Sequence, residues 1–82
     1  MDGRQMNRQY DFYVKICSFS QCQRIHAVAQ ECQDVRVFDA KGSVANAKSL
    51  LSLMSLDYSG MVCITTSTQE EYFAIRKALC LK

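Results

Sequence analysis

Proline and tryptophan are absent, glycine occurs only at Gly3, Gly42 and Gly60, and His26 is the single histidine. Each shortage closes off a class of function. Isolated glycines leave no glycine-rich loop to cradle a phosphate chain. One histidine, with Glu31 the only acidic residue near it in sequence, cannot be built into a Ser/His/Asp set. No apolar run approaches the ~18 residues of a spanning helix, and the first residues lack the apolar stretch of a signal peptide. A cytoplasmic protein with no membrane segment is the expectation.

Charge of one sign is also scarce. Ten Lys and Arg against eight Asp and Glu leave +2, too little to point to nucleic acid or a membrane surface. The cysteines (Cys17, Cys22, Cys32, Cys63 and Cys80) are odd in number and form no C-x-x-C pair, so neither a thioredoxin-type site nor a zinc knuckle is signalled. Most stand at apolar-face positions, where a thiol acts as a small hydrophobe, and reduced core thiols are expected. Cys22 and His26 are four apart and could share a metal, but no second ligand pair has suitable spacing. No metal and no cofactor are expected.

What is present is a compact-domain composition: 82 residues, 49% hydrophobic and 22% charged, near the lower limit for a self-sufficient core. Residues 1–9, MDGRQMNRQ, are polar and unpatterned and read as a disordered tail, leaving 10–82 as the single domain. In YDFYVKIC (10–17), Tyr10, Phe12, Val14 and Ile16 alternate against Asp11, Tyr13, Lys15 and Cys17, the pattern of a half-buried strand. Ser18 or Ser20 can cap the helix that follows. Over 21–33 the period turns helical: Cys22, Ile25, Val28, Ala29 and Cys32 share one face, Gln23, Arg24, Ala27 and Glu31 the other, and His26 stands on the border.

Residues 35–45 read as a hairpin turning at Lys41-Gly42, and 46–56 as a short helix. MVCITTS (61–67) is a β-branched strand, and Ser67 to Glu70 has the S-x-x-E form of a capping box. The last helix carries Tyr72, Ile75 and Leu79 inward, with Phe73 and Cys80 less centrally. The order β-α-β-β-α-β-α implies an α+β fold: an open-faced sandwich, with three helices on one face of a four-stranded antiparallel sheet. A ferredoxin-like β-α-β-β-α-β unit with an added helix has the same pattern. In that alternative the domain would bind RNA or a small ligand, with Tyr10, Phe12 and Tyr13 near Lys15 and Arg36 as a stacking surface, although the K/R-G-F/Y-G/A-F-V motif is missing.

The stretch NAKSLLSLMSL (46–56) carries the sharpest candidate. With Asn46 as cap, Ala47, Lys48 and Ser49 would form a first helical turn, and Leu53 and Leu56 would face inward. Leu50, Leu51 and Met54 would then turn partly outward beside Ser49. A plain helix-start serine is an equal reading of the same residues.

VANAKSLLSLMSL (44–56) closely resembles the regulatory-serine segment of HPr, the histidine-containing phosphocarrier family of the bacterial sugar phosphotransferase system. The family pattern is N-[AL]-K-S followed by an aliphatic and Met run ending M-S-L. Length and element order along 11–80 are also similar. The resemblance implies the open-faced sandwich, phosphorylation of Ser49 by an HPr-kinase-like enzyme, and a docking surface for protein partners at Lys48, Leu50, Leu51 and Met54. It departs at the family's G-[IL]-H-[AT]-R-P-A segment, where this chain reads FSQCQRI (19–25). Phe19 stands for the glycine, Gln21 for the phosphorylated histidine, Gln23 for the arginine and Arg24 for the proline.

A glutamine amide cannot carry phosphate as a histidine does. Catabolite-repression HPr-like proteins are similar in having glutamine there and keeping the serine, though they retain the arginine and proline. The resemblance therefore implies a non-enzymatic regulatory module that binds a protein partner, such as a transcription regulator, and no nucleic acid or membrane. A phosphocarrier using His26 or Cys22 is the alternative.

Overall fold

Alternation along β1 (Tyr10–Lys15) meets the period-two demand of a one-sided sheet. Phe12, Val14 and, just past the strand, Ile16 are buried, while Asp11, Tyr13 and Lys15 face out. The computed structural model describes residues 10–80, so the tail expected over 1–9 lies outside the described residues.

Helix α1 (Phe19–Ala29) buries Cys22, Ile25 and Ala29. It starts before Gln21, after an extended Ser18, and ends well short of Gln33. Beyond Ala29 the chain tightens into three-residue turns, Glu31 N–H to the Val28 carbonyl at 3.0 Å and Cys32 N–H to the Ala29 carbonyl at 3.1 Å. Cys32 stays buried through those turns, which is why the apolar period outruns the helix.

The hairpin β2 (Arg36–Phe38) and β3 (Val44–Asn46) pairs Val37 with Ala45. Gly42 takes φ +89 in its turn; a Cβ there would meet no atom within 4 Å, so the backbone conformation alone demands glycine. Helix α2 (Leu50–Met54) and β4 (Met61–Thr66) follow, and β4 buries Val62, Ile64 and Thr66. Helix α3 (Gln69–Ala78) buries Glu71 and Ile75, and Leu79 beyond it.

The start of α3 differs from the expected Ser67–Glu70 box by one residue. Thr68 is the cap and accepts from the Glu71 N–H at 3.1 Å. Glu71, buried, accepts from Ser67 N–H at 3.1 Å and from Gln33 N–H at 2.7 Å. The carboxylate that ties two segments to the helix start wins over the exposed Glu70. Phe73 and Cys80 are exposed rather than inward, since Ile75 and Leu79 define a face that turns both away.

The sheet is antiparallel throughout, in the order β1-β4-β2-β3. The first strand therefore lies beside the fourth. A ferredoxin-like sheet places its first and third strands in the centre; here β4 and β2 are central, which sets that alternative aside. One core cluster joins the inner sheet face to residues of all three helices, while the other sheet face stays open. Val14, Ile16, Ile25, Ala29, Val35, Val37, Ile64, Ile75 and Leu79 are buried as the periodicities require.

Only two of the five thiols, Cys22 and Cys32, are core residues. Cys17 and Cys80 are exposed and Cys63 is half-buried on the open sheet face, because inward positions of β4 belong to its even-numbered residues. All five are free thiols. Among the described residues no helix is long and apolar enough to cross a membrane.

Candidate functional site

The C-terminal end of α1 meets the backbone before α2, through His26 and Gln30, while the start of α1 faces Met54 at the end of α2. Gln21, near the start of α1, is committed to structure. Its Oε1 accepts from the Cys17 N–H at 2.6 Å and the Ser18 N–H at 3.1 Å, satisfying amides that would otherwise be orphaned before the helix. Phe19 is about half exposed, and Gln23 and Arg24 face outward.

His26 is half-buried, on the border of the apolar face. It has a structural task that its sequence neighbourhood does not announce: Nδ1 lies 3.0 Å from the Ala47 carbonyl oxygen. A carbonyl only accepts, so the proton sits on Nδ1 and a backbone group, not a carboxylate, sets the tautomer. Gln30 completes the grip, its Nε2 donating to the Lys48 carbonyl at 3.3 Å and the His26 carbonyl at 3.2 Å. One side chain of α1 and that of its C-cap residue, Gln30, thus hold the backbone just before Ser49. Gln30 escaped the sequence reading because its contact is 18 residues away and it lies on the polar face.

Ser49 is itself the N-cap of α2, rather than a member of its first turn. Its Oγ accepts from the Ser52 N–H at 3.3 Å. Asn46 cannot be that cap because its backbone ends β3, and its side chain closes a local turn by accepting from the Lys48 N–H at 2.9 Å. Ser49 and Lys48 are nonetheless exposed. Leu53 and Leu56 point inward, Leu50 is half-buried against the core, and Leu51 and Met54 are 81% and 52% exposed.

Between Phe19 and Met54 lies a hollow of about 410 Å³, with Cys22 and Tyr58 among its lining. The Tyr58 hydroxyl donates to the Leu53 carbonyl and fixes the end of α2 to the core. Burial, followed by its hydrogen bond with Cys22, pushes the Tyr58 phenol well above its ordinary value. Cys22 is 4% exposed. The described residues contain no group of three or more His, Cys, Asp or Glu placed to hold a metal ion. A larger concavity, about 870 Å³, lies on the open sheet face around Tyr13, Arg36 and Phe38, away from Ser49.

These features define a small α+β domain whose accessible surface near α2 pairs a hydroxyl and an ammonium with exposed aliphatic, thioether and aromatic groups. No protein-family model, no curated protein and no solved structure matches the chain.

Proposed function

We propose that the protein is an HPr-like regulatory or partner-binding module related to the sugar phosphotransferase system, with no enzymatic activity of its own, switched by phosphorylation of Ser49. The observation that carries this reading is the exposure of Ser49 and Lys48 beside Leu51 and Met54, with Phe19 across the hollow. A docking surface needs solvent-facing apolar anchors, and a switch needs a modifiable group at their rim. The β1-α1-β2-β3-α2-β4-α3 order and the sheet order are compatible with such a fold.

Transfer of phosphate on histidine is not part of this function. Gln21 offers no nucleophilic nitrogen, and its oxygen is occupied by two amides. In this reading His26, whose Nδ1 meets the Ala47 carbonyl, and Cys22, buried beneath Tyr58, have structural roles. The partners in this reading are an HPr-kinase-like enzyme and a regulatory protein, in the cytoplasm.

Phosphorylation would add nearly two negative charges beside Lys48 and give an apolar surface an acidic rim. Ser49→Asp is expected to leave the melting temperature nearly unchanged and to shift affinity for a phosphorylation-sensitive partner by more than about tenfold. Intact-mass analysis after incubation with ATP and HPr kinase should show one acid-stable phosphate, absent from Ser49→Ala. Incubation with phosphoenolpyruvate and the system's first enzyme should leave the mass unchanged. An acid-labile phosphate lost in His26→Ala or Cys22→Ala would establish the phosphocarrier alternative instead.

A further inference from the structure

The two edges of the sheet are unequal. β3 presents three residues and runs at once into the turn before α2. β1 presents six, Tyr10–Lys15, paired residue for residue with β4 and without a bulge. Among the described residues no strand pairs with its outer side, where alternate residues offer free N–H and C=O groups. Edge strands are usually blunted by proline, bulges or charge. Here proline and bulges are missing, and the two charges in the strand, Asp11 and Lys15, are opposite in sign.

Those two charges identify an occupant. An antiparallel strand added about a two-fold axis normal to the sheet keeps inner faces on one side, so the axis must pass through a residue and not between two. Through Tyr13, it sets Tyr13 against its own mate, Phe12 against Val14, and Asp11 against Lys15 at both ends. Through Phe12 or Val14 it opposes a charge to Tyr13 and leaves the charges unmatched. The strand is therefore self-complementary in one register.

We propose that β1 is the docking edge for a second copy of this chain, joining two four-stranded sheets into one continuous sheet centred on Tyr13. Tyr13 is 70% exposed, an apolar ring that the second copy's Tyr13 would cover. The inner side has a matching unfilled surface. Phe12 and Tyr10 pack on Tyr72, whose ring meets that of Phe73 at 5.3 Å, and Phe73 is left 55% exposed. Lys15 is held on the outer face by donating to the Tyr58 and Ser59 carbonyls at 3.0 and 2.7 Å, and its ammonium retains a third proton for Asp11 of the second copy. The association consumes both β1 edges, so it closes at two copies.

Sedimentation of the full chain from micromolar to millimolar concentration should give a species of twice 9.3 kDa. Asp11→Lys and Lys15→Glu each oppose like charges at both ends, and each alone should weaken self-association at least about tenfold. Their equimolar mixture restores opposite charges at both ends and should form the heterodimer as readily as the wild type dimerises. Should Lys15→Glu fail to fold, Asp11→Lys against Asp11→Glu supplies the contrast, with dimer lost in the first and kept in the second. A wild type that stays monomeric at millimolar concentration overturns the proposal. So do single variants that associate like the wild type, and assemblies larger than a dimer, which pairing of β1 on β3 would build.

Discussion

A carboxamide that closes two backbone amides is not exchangeable for an imidazole. Gln21→His withdraws the oxygen from Cys17 and Ser18, and the loss of a cap costs ~0.5–2 kcal/mol, read from a denaturant midpoint. On the proposed reading the variant still fails to take phosphate from phosphoenolpyruvate, because Gln23 and Arg24 supply neither the arginine nor the proline of the family segment. Ile25 is 1% exposed in the core, and Ile25→Ala is expected to cost ~2–5 kcal/mol in the same titration. A cost under ~1 kcal/mol would mean that the site collapses around the deletion. Cys80 lies beyond the C-cap of α3 with φ +62, a conformation that glycine adopts without strain. Cys80→Gly should therefore raise stability by ~1 kcal/mol. Two of the other thiols are made less acidic by their surroundings: burial, then the nearby Glu71 charge, raises Cys32, and burial raises Cys63.

At the scale of the element, the register of a cap is decided by what its partner residue touches. Thr68→Ala should cost ~1 kcal/mol and Ser67→Ala less than half of that, since only Thr68 receives the Glu71 amide. The strands were legible because alternation is a local signal: Phe12 and Val14, or Val62 and Ile64, declare their face within a few residues. In α2 and just past it, too, spacing alone distinguished inward Leu53 and Leu56 from outward Leu51 and Met54. Helix starts were less legible. Ser67 and Thr68 both precede a glutamate by three residues, and the choice rests on Glu71 reaching the Gln33 amide, 38 residues away. At Ser49 the ambiguity had the same origin: Asn46 looks like a cap until its pairing with Arg36 places it in a strand. The His26 and Gln30 grip on residues 47 and 48 has no local signature at all, because it exists only once α1 and α2 are packed.

Across the whole molecule, two carboxylates join the turn between β2 and β3 to the loop between α2 and β4. Asp39, buried, accepts from the N–H groups of Lys41 and Ser43 through Oδ1 and of Asp57 through Oδ2, at 2.9–3.0 Å. These bonds, the one from Asp57 foremost, hold its carboxyl below the ordinary 3.8. Asp57 accepts from Ser59 N–H at 2.9 Å and pairs with Lys41 at 3.1 Å, bringing it to about 2. A depressed folded value means that the stabilisation is complete above 3.8 and is lost as pH falls toward 2. The melting temperature should thus fall across that interval, and less steeply in Asp57→Asn, which keeps an acceptor for Ser59 but not the charge facing Lys41. The shared carboxylate of Asp39 also ties together the timing of local opening. Amide protons of Lys41, Ser43 and Asp57 should exchange with solvent deuterium at one common rate, although Asp57 lies in a different loop, and all three should accelerate together in Asp39→Ala.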